Sequence, residues 1–181
     1  GVVLRAMKNG FTSVMYDGSK LPIEENVKNT QFIVRVGRAL GVSVEAEIGR
    51  VGRGEEGESI TEILTEPEGA LMFFSETHVD ALAIAAGTCH GMQKQEAEIH
   101  FDIVEAISAL VDVPLVLHGS SGVKNDDLVR ISRSGISKIN FGTRLRRAFV
   151  ERCSAILRED PGIKNHLTLI ENSSVAITET V

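Results

Sequence analysis

Short runs of apolar and β-branched residues alternate with longer amphipathic segments along this chain, and this alternation restricts its fold more than any other feature. Five runs are predicted to be strands: Ser13–Tyr16, 42–48, 81–85, 113–117 and 137–141. Apolar residues at helical spacing predict helices at 2–9, 23–40, 101–110, 145–157 and 167–180. Strands and helices that alternate about every 30 residues are typical of βαβ units and a parallel sheet. This interval fits a barrel and a doubly wound sheet equally well.

The composition narrows the class of protein. The 181 residues suffice for one domain, and 43% hydrophobic with 24% charged residues is typical of a globular protein with a sizeable core. A net charge of −6 argues against a nucleic-acid partner. We expect no membrane partner, because no apolar run approaches the roughly 20 residues of a membrane span. With only Cys89 and Cys153, and no signal peptide at 1–5, we expect a cytoplasmic protein.

Polar side chains recur where the predicted strands end. Asp17 closes the first run, and Glu47 lies near the end of the second. His90 follows the third run, His118 ends the fourth, and Asn140 lies near the end of the fifth. Carboxyl ends of parallel strands meet at one edge of a sheet, where α/β proteins build active sites. Two imidazoles and two carboxylates at such an edge predict a site for zinc or a similar divalent ion.

Small residues next to these histidines predict a phosphate cradle. Glycines and serines allow backbone N–H groups to approach an anion closely, and the last strand runs directly into a helix start. The predicted contacts are Gly91, Gly119, Ser120, Ser121, Asn140, Phe141, Gly142 and Thr143. A metal beside such a cradle indicates a small phosphorylated substrate with a carbonyl group that can be polarised.

Five motifs together resemble those of the class II, metal-dependent fructose-bisphosphate aldolases and their tagatose-bisphosphate relatives. They are VMYDGS at 14–19, EAEIGR at 45–50, GTCHG at 87–91, VLHGSSG at 116–122 and NFGT at 140–143. The resemblance covers nearly the whole chain. It implies an α/β fold of the (β/α)₈ TIM-barrel type, incomplete because about five of eight strands are present. Residues 1–181 then form the C-terminal portion of a single barrel domain.

The resemblance also implies a role for each site residue. His90 and His118 match two of three histidines that hold the catalytic Zn²⁺. Asp17 and Glu47 match carboxylates near a second position for a divalent or monovalent cation. Glu55, in a loop at 50–59, matches the carboxylate that moves the C1 proton of dihydroxyacetone phosphate, although its glutamate neighbours fit a solvated loop equally well.

The implied activity is that of a carbon–carbon lyase of glycolysis and related carbohydrate metabolism. It cleaves or forms a fructose or tagatose 1,6-bisphosphate from dihydroxyacetone phosphate and glyceraldehyde 3-phosphate through a metal-stabilised enediolate. Small sugar phosphates are the expected ligands, and a homodimer or homotetramer is the expected assembly of the complete enzyme.

One family motif has no match in this sequence. It carries the third zinc histidine and the acid that protonates the aldehyde oxygen, so we expect the 181-residue chain alone to be inactive. A catalytically dead barrel fragment that acts as a binding or assembly subunit is the alternative. A second, weaker alternative is another type of zinc-dependent barrel enzyme, such as a phosphosugar isomerase. Glu45, on the same strand face as Glu47, is predicted to be a structural partner of a buried base.

Overall fold

The computed structural model describes residues 1–55, 58–60, 62–92 and 94–180, with the backbone alone for residues 53–55 and 58–60. The chain divides into two compact units, Gly1–Asn140 and Phe141–Val181. Within the described ranges, no helix is long and apolar enough to cross a bilayer.

The described residues form eight strands and seven α-helices. The strands are β1 (Ser13–Tyr16), β2 (Ser43–Ile48), β3 (Gly52–Glu55), β4 (Glu58–Ile60), β5 (Ala81–Ile84), β6 (Cys89–His90), β7 (Leu115–Leu117) and β8 (Ile136–Ile139). The helices are α1 (Val2–Lys8), α2 (Ile23–Leu40), α3 (Pro67–Thr77), α4 (Phe101–Leu110), α5 (Asn125–Ile131), α6 (Thr143–Glu159) and α7 (His166–Thr180). The second unit consists of α6, α7 and their connections.

The main sheet lies in the first unit. In the described part of the chain it contains five strands in the order β1-β2-β5-β7-β8, and every neighbouring pair is parallel. The order never reverses along the chain. A doubly wound sheet reverses its strand order at a switch point, whereas a (β/α)₈ barrel adds its strands in one direction. The architecture is therefore five strands of an incomplete TIM barrel, which confirms the predicted fold class.

The sheet is strongly curved. Glu45 on β2 and Lys138 on β8 are separated by two intervening strands, and a flat sheet would hold these two strands about 14 Å apart. The Lys138 ammonium nevertheless lies 2.6 Å from a Glu45 carboxylate oxygen. Side chains from strands so far apart meet only when the sheet bends around its inner face, as a barrel wall does.

Strand β2 shows how the two faces of the sheet differ. Val44 and Ala46 belong to the apolar core, which also contains buried residues of the surrounding helices such as Val34 and Phe73. Glu45 and Glu47 alternate with them and are also buried, but on the opposite face. Two carboxylates inside a barrel wall require polar partners, because burying an unpaired charge is costly. Those partners define the candidate site.

The predicted strands and long helices are confirmed, with ends that shift by one or two residues. Helices α3 and α5 were not predicted. Helix α5 has seven residues, fewer than a periodicity analysis needs, and α3 contains the consecutive residues Leu71–Phe74, which blur its apolar stripe. The expectation of a loop at 50–59 was wrong, because part of this segment forms strands. There β3 pairs antiparallel with β4 and parallel with β6.

Candidate active site

The predicted polar residues of the first unit lie at the carboxyl ends of its strands. Asp17 directly follows β1, and Glu47 is the penultimate residue of β2. His90 ends the short strand β6, which follows β5, while His118 and Asn140 directly follow β7 and β8. One end of the sheet therefore carries all five side chains.

The two predicted metal histidines face one another. The ring centroids of His90 and His118 are 6.0 Å apart, with an angle of 64° between the ring planes. Two imidazoles that share one tetrahedral ion would place their centroids about 5 Å apart, since zinc–nitrogen bonds are about 2.0–2.1 Å. The observed separation is within about 1 Å of that value. The pair fits a shared cation after a small side-chain movement.

Gly119 allows the two histidine-bearing segments to approach. It has a φ of +65°, and a Cβ atom there would lie 2.8 Å from the carbonyl carbon of Cys89 and 3.1 Å from the His90 amide nitrogen. Both the left-handed conformation and the close backbone contact require glycine. The glycine of the predicted phosphate loop therefore also sets the distance between the histidines.

Substituting Gly119 with alanine is expected to lower the free energy of unfolding by more than the about 1–2 kcal/mol of the left-handed conformation alone. The excess arises because the new Cβ must displace the backbone of Cys89. Gly41→Ala is the matched control, since Gly41 has a φ of +67° and nothing lies within 4 Å of the place its Cβ would take. Urea denaturation of both variants measures the difference. Equal losses in the two variants would contradict the packing argument.

Glu45 is the partner of His118. One carboxylate oxygen lies 2.8 Å from His118 Nε2, and the other accepts a 2.6 Å hydrogen bond from the Lys138 ammonium. Burial raises the pKa of Glu45, but the hydrogen bonds to His118 and Lys138 and the positive charge of Lys138 outweigh burial, so the pKa lies below its usual value. Glu45 is 5% exposed and stays ionised at neutral pH. Its predicted role as partner of a buried base agrees with these contacts.

Asn140 lies against the same imidazole. Its Nδ2 is 3.3 Å from His118 Nδ1 and 3.4 Å from Nε2. Nearly equal distances to both ring nitrogens show that the amide borders the ring rather than pointing at one lone pair. The Asn140 backbone also accepts a hydrogen bond from the Ser120 amide at 3.4 Å, which ties the end of β8 to the loop after β7.

Glu47 and Asp17 form a second group of charges. Glu47 is 4% exposed, whereas Asp17 is exposed and accepts hydrogen bonds from the amide and hydroxyl of Ser19. Burial, together with the Asp17 charge, raises the pKa of Glu47 to about 7, although His118 and hydrogen bonds from Val51 and Ser19 oppose the shift. A buried carboxyl that titrates near neutral pH can hold or release a proton or accept a cation.

Asn26 was not singled out from the sequence, although it positions Glu47. It is 2% exposed on α2, donates a 3.0 Å hydrogen bond from Nδ2 to the Glu47 carbonyl, and accepts one from Thr30. Its amide also lies where a Cβ of Gly18 would fall, so it packs against the loop that follows Asp17. An asparagine on the apolar stripe of a helix was the available signal, since buried amides need partners.

Thr65 joins two strand ends at the same rim. Its hydroxyl donates a 2.7 Å hydrogen bond to the Ile48 carbonyl and accepts a 2.9 Å bond from the Ala85 amide. The connection holds the ends of β2 and β5 together at Ile48, the residue after Glu47. Sequence patterns did not identify Thr65, because its partners lie 17 and 20 residues away along the chain.

The predicted phosphate loop after β7 forms a single 3₁₀ turn, Ser120–Gly122. Ser120 is fully buried, and its hydroxyl donates to the Leu117 carbonyl at 3.2 Å. Its amide is used by Asn140, so both polar groups of Ser120 hold the loop in place. Gly91, with a φ of +80°, and Ser121, 8% exposed, are the neighbouring predicted contacts.

Four predicted site residues do not lie among the described side chains of this unit. Phe141, Gly142 and Thr143 belong to the second unit, where Gly142 precedes α6 and the Thr143 hydroxyl accepts a 3.4 Å hydrogen bond from Arg146. The Glu55 backbone lies in β3 opposite Glu58, but its side chain falls outside the described part of the chain. Their roles stay predictions.

The donor groups at this end of the sheet fit part of a metal site. Among the residues that the structure describes, no three His, Cys, Asp or Glu side chains converge as a preformed metal site would. Two imidazoles do face one another, and one of them has a carboxylate on its other side. Histidines that bind metals commonly donate their second ring nitrogen to a carboxylate, so the residues present suit a metal that needs at least one further ligand.

Residues 1–181 match the family described as fructose-bisphosphate aldolase class-II over their whole length. The chain belongs to this family. Its fold agrees, because the YdjI aldolase from Escherichia coli K12 superposes with a TM-score of 0.77 at 31% identity. That comparison covers 98% of this chain and 60% of the Escherichia coli chain.

Curated members of the family that resemble this chain carry different aldolase names. Sulfofructosephosphate aldolase of Alkalicoccus urumqiensis is 41% identical, over 89% of this chain and 57% of the relative. Fructose-bisphosphate aldolase of Geobacillus stearothermophilus is 39% identical, over 97% and 62%. The 6-phospho-5-dehydro-2-deoxy-D-gluconate aldolase of Shouchella clausii (strain KSM-K16) is 38% identical, over 98% and 60%. The chain thus spans 57–62% of the length of these relatives.

Proposed function

We propose that this chain carries part of the active site of a zinc-dependent aldolase that cleaves or forms a phosphorylated ketose, with fructose or tagatose 1,6-bisphosphate as the first substrates to test. The observation that carries the proposal is the facing pair His90 and His118, in which His118 is oriented from behind by Glu45. Membership of the class II aldolase family supports it. The names of the relatives differ in the sugar but share a phosphorylated substrate and an aldol reaction.

In this proposal His90 and His118 hold the metal, and the pair Glu47 and Asp17 provides a second cation position. When bound, Zn²⁺ supplies a Lewis acid that polarises a carbonyl oxygen. The chain's own groups do the remaining work. Glu45 accepts the Nε2 hydrogen of His118 and so fixes the imidazole. Glu47, with a pKa near 7, is able to hold a proton beside the site at neutral pH.

The proton transfer at carbon is assigned to Glu55 by the resemblance. A carboxylate that removes the C1 proton of dihydroxyacetone phosphate acts as a general base, and the resulting carbanion adds to an aldehyde. In the first unit, the proposed phosphate contacts are the backbone at Gly91, the loop at 119–121 and Asn140, because closely spaced backbone N–H groups suit a dianionic phosphate. The resemblance assigns the same role to residues 141–143, which belong to the second unit.

A cleavage assay with a panel of sugar phosphates tests the proposal. The polypeptide is produced both as these 181 residues and together with any coding sequence that lies upstream of them in the gene. Fructose 1,6-bisphosphate, tagatose 1,6-bisphosphate, sulfofructose phosphate and 6-phospho-5-dehydro-2-deoxygluconate are offered with Zn²⁺, and triose products are measured. We expect turnover of at least one substrate by the longer polypeptide and none by the 181 residues, which lack a match for the third histidine motif. Turnover by the 181 residues, or by neither form, would contradict the proposal.

A further inference from the structure

Lys138 reaches the candidate site through Glu45. The Lys138 ammonium contacts Oε2 of Glu45 at 2.6 Å, and Oε1 of the same carboxylate lies 2.8 Å from His118 Nε2. The three side chains come from β8, β2 and the end of β7. They form one unbranched chain of hydrogen bonds in which each carboxylate oxygen has its own partner.

The two ends of this chain differ in their access to solvent. The Glu45 and His118 side chains are 6% and 10% exposed, whereas the Lys138 side chain is 51% exposed. A buried carboxylate rotates to satisfy both oxygens, so the partner of Oε2 sets the direction in which Oε1 points. Lys138 therefore holds the carboxylate in the rotation that presents Oε1 to His118.

The bond to Glu45 also selects the His118 tautomer. A carboxylate accepts hydrogen bonds, so the hydrogen of the neutral ring resides on Nε2 and Nδ1 keeps its lone pair. Asn140 borders both ring nitrogens at 3.3 and 3.4 Å and does not point along either lone pair. The geometry leaves Nδ1 as the nitrogen suited to an ion shared with His90.

We propose that Lys138 is a positioning residue, which acts through Glu45 to fix the tautomer and ring orientation of His118 with Nδ1 as the nitrogen that keeps its lone pair. The inference rests on the proposed metal-dependent function for its purpose, but the tautomer it specifies is a property of the metal-free chain. A lysine that only tied β8 to β2 would contribute to stability and leave the imidazole tautomer unchanged. The two roles therefore separate experimentally.

The test compares Lys138→Met with Lys138→Arg, the conservative variant, and with Lys8→Met, which removes an exposed lysine on α1. Two-bond ¹H–¹⁵N correlations of the ¹⁵N-labelled, metal-free chain identify the protonated nitrogen of each imidazole. His118→Gln assigns the signal among the five histidines. Zn²⁺ affinity is measured in parallel by competition with a chromophoric chelator.

We expect the Nε2-protonated tautomer in the unsubstituted chain, in Lys8→Met and in Lys138→Arg, and a mixture of both tautomers in Lys138→Met. Zn²⁺ affinity should fall about 10–100-fold in Lys138→Met, the usual effect of losing an outer hydrogen-bond partner of a metal ligand. An unchanged tautomer in Lys138→Met would overturn the proposal, whatever its stability. If Lys138→Met does not fold, the His118 tautomer is measured in Lys138→Gln and Glu45→Gln instead, and an unchanged tautomer in those variants would likewise overturn the proposal.

The outcome also separates this inference from the proposed function. A shift of tautomer in Lys138→Met, combined with no Zn²⁺ binding by the unsubstituted chain, would support the positioning role and count against the proposed metal site. If Lys138→Met binds Zn²⁺ as tightly as the unsubstituted chain does and its His118 tautomer is unchanged, the result would count against the positioning role and support the proposed metal site.

Discussion

The His118→Ala variant, made in the polypeptide with its upstream coding sequence, is expected to lose zinc binding and aldol cleavage together. The substitution removes one of the two facing imidazoles. It also leaves Glu45, which is 5% exposed, without the partner at 2.8 Å that occupies Oε1. A bound metal contributes several kcal/mol to stabilising developing charge, so the rate should fall by about 10³-fold or more.

Metal content by mass spectrometry and initial rates of triose production measure the two losses in the same preparation. His118→Gln is the second variant, because an amide can still bond to Glu45 and preserve folding. His166→Ala is the matched control, since His166 is exposed at the start of α7. A full zinc equivalent retained by His118→Ala, or activity retained without zinc, would show that His118 is not a ligand.

The second large effect is a dependence of stability on pH that originates from Glu47. Its pKa in the folded chain is about 7, raised by burial and by Asp17 from a value of 4.5. The folded state therefore binds this proton more tightly than the unfolded state does. The contribution is fully present below pH 4.5 and is lost as pH rises through 7. The metal-free chain should lose up to about 3 kcal/mol of unfolding free energy between about pH 5 and pH 8.

Urea denaturation in the presence of a chelator, at about pH 5 and pH 8, measures this loss for the unsubstituted chain and for Glu47→Gln. The amide cannot titrate, so the variant should show a much smaller difference between the two pH values. Glu45 does not obscure the result, since its pKa is lowered and its contribution changes only below pH 4.5. Glu68→Gln, an exposed change on α3, controls for the loss of a charge. Equal pH dependence in all three proteins would disprove the role of Glu47.

Local sequence patterns were sufficient for the regular elements of the barrel. Strands β5 and β7 are continuous apolar runs, and α2, α4 and α6 have well-formed apolar stripes, so short-range periodicity identifies them. The same patterns missed α3 and α5, and they placed a loop where β3 and β4 pair. Short elements depend more on what they pack against than on their own periodicity, which explains these errors.

Motif reasoning reached the histidines and, in Glu45, one residue that orients His118, but it did not reach Lys138. His90 and His118 stand out because glycines follow both of them. Lys138 precedes Asn140 by two residues in an ordinary strand, and nothing in its immediate sequence distinguishes it from a surface lysine. Its partner Glu45 is 93 residues away, so the pairing emerges only when the sheet bends.

The sequence by itself determined that strands and helices alternate, which residue types stand at the strand ends, and the class II aldolase family to which the chain belongs. The choice of a barrel over a doubly wound sheet was decided by the tertiary structure, through a strand order that never reverses. The tertiary structure also decided the chain of contacts from Lys138 through Glu45 to His118. Periodicity is a property of neighbouring residues, whereas curvature and contacts between distant strands arise from how all the elements pack together.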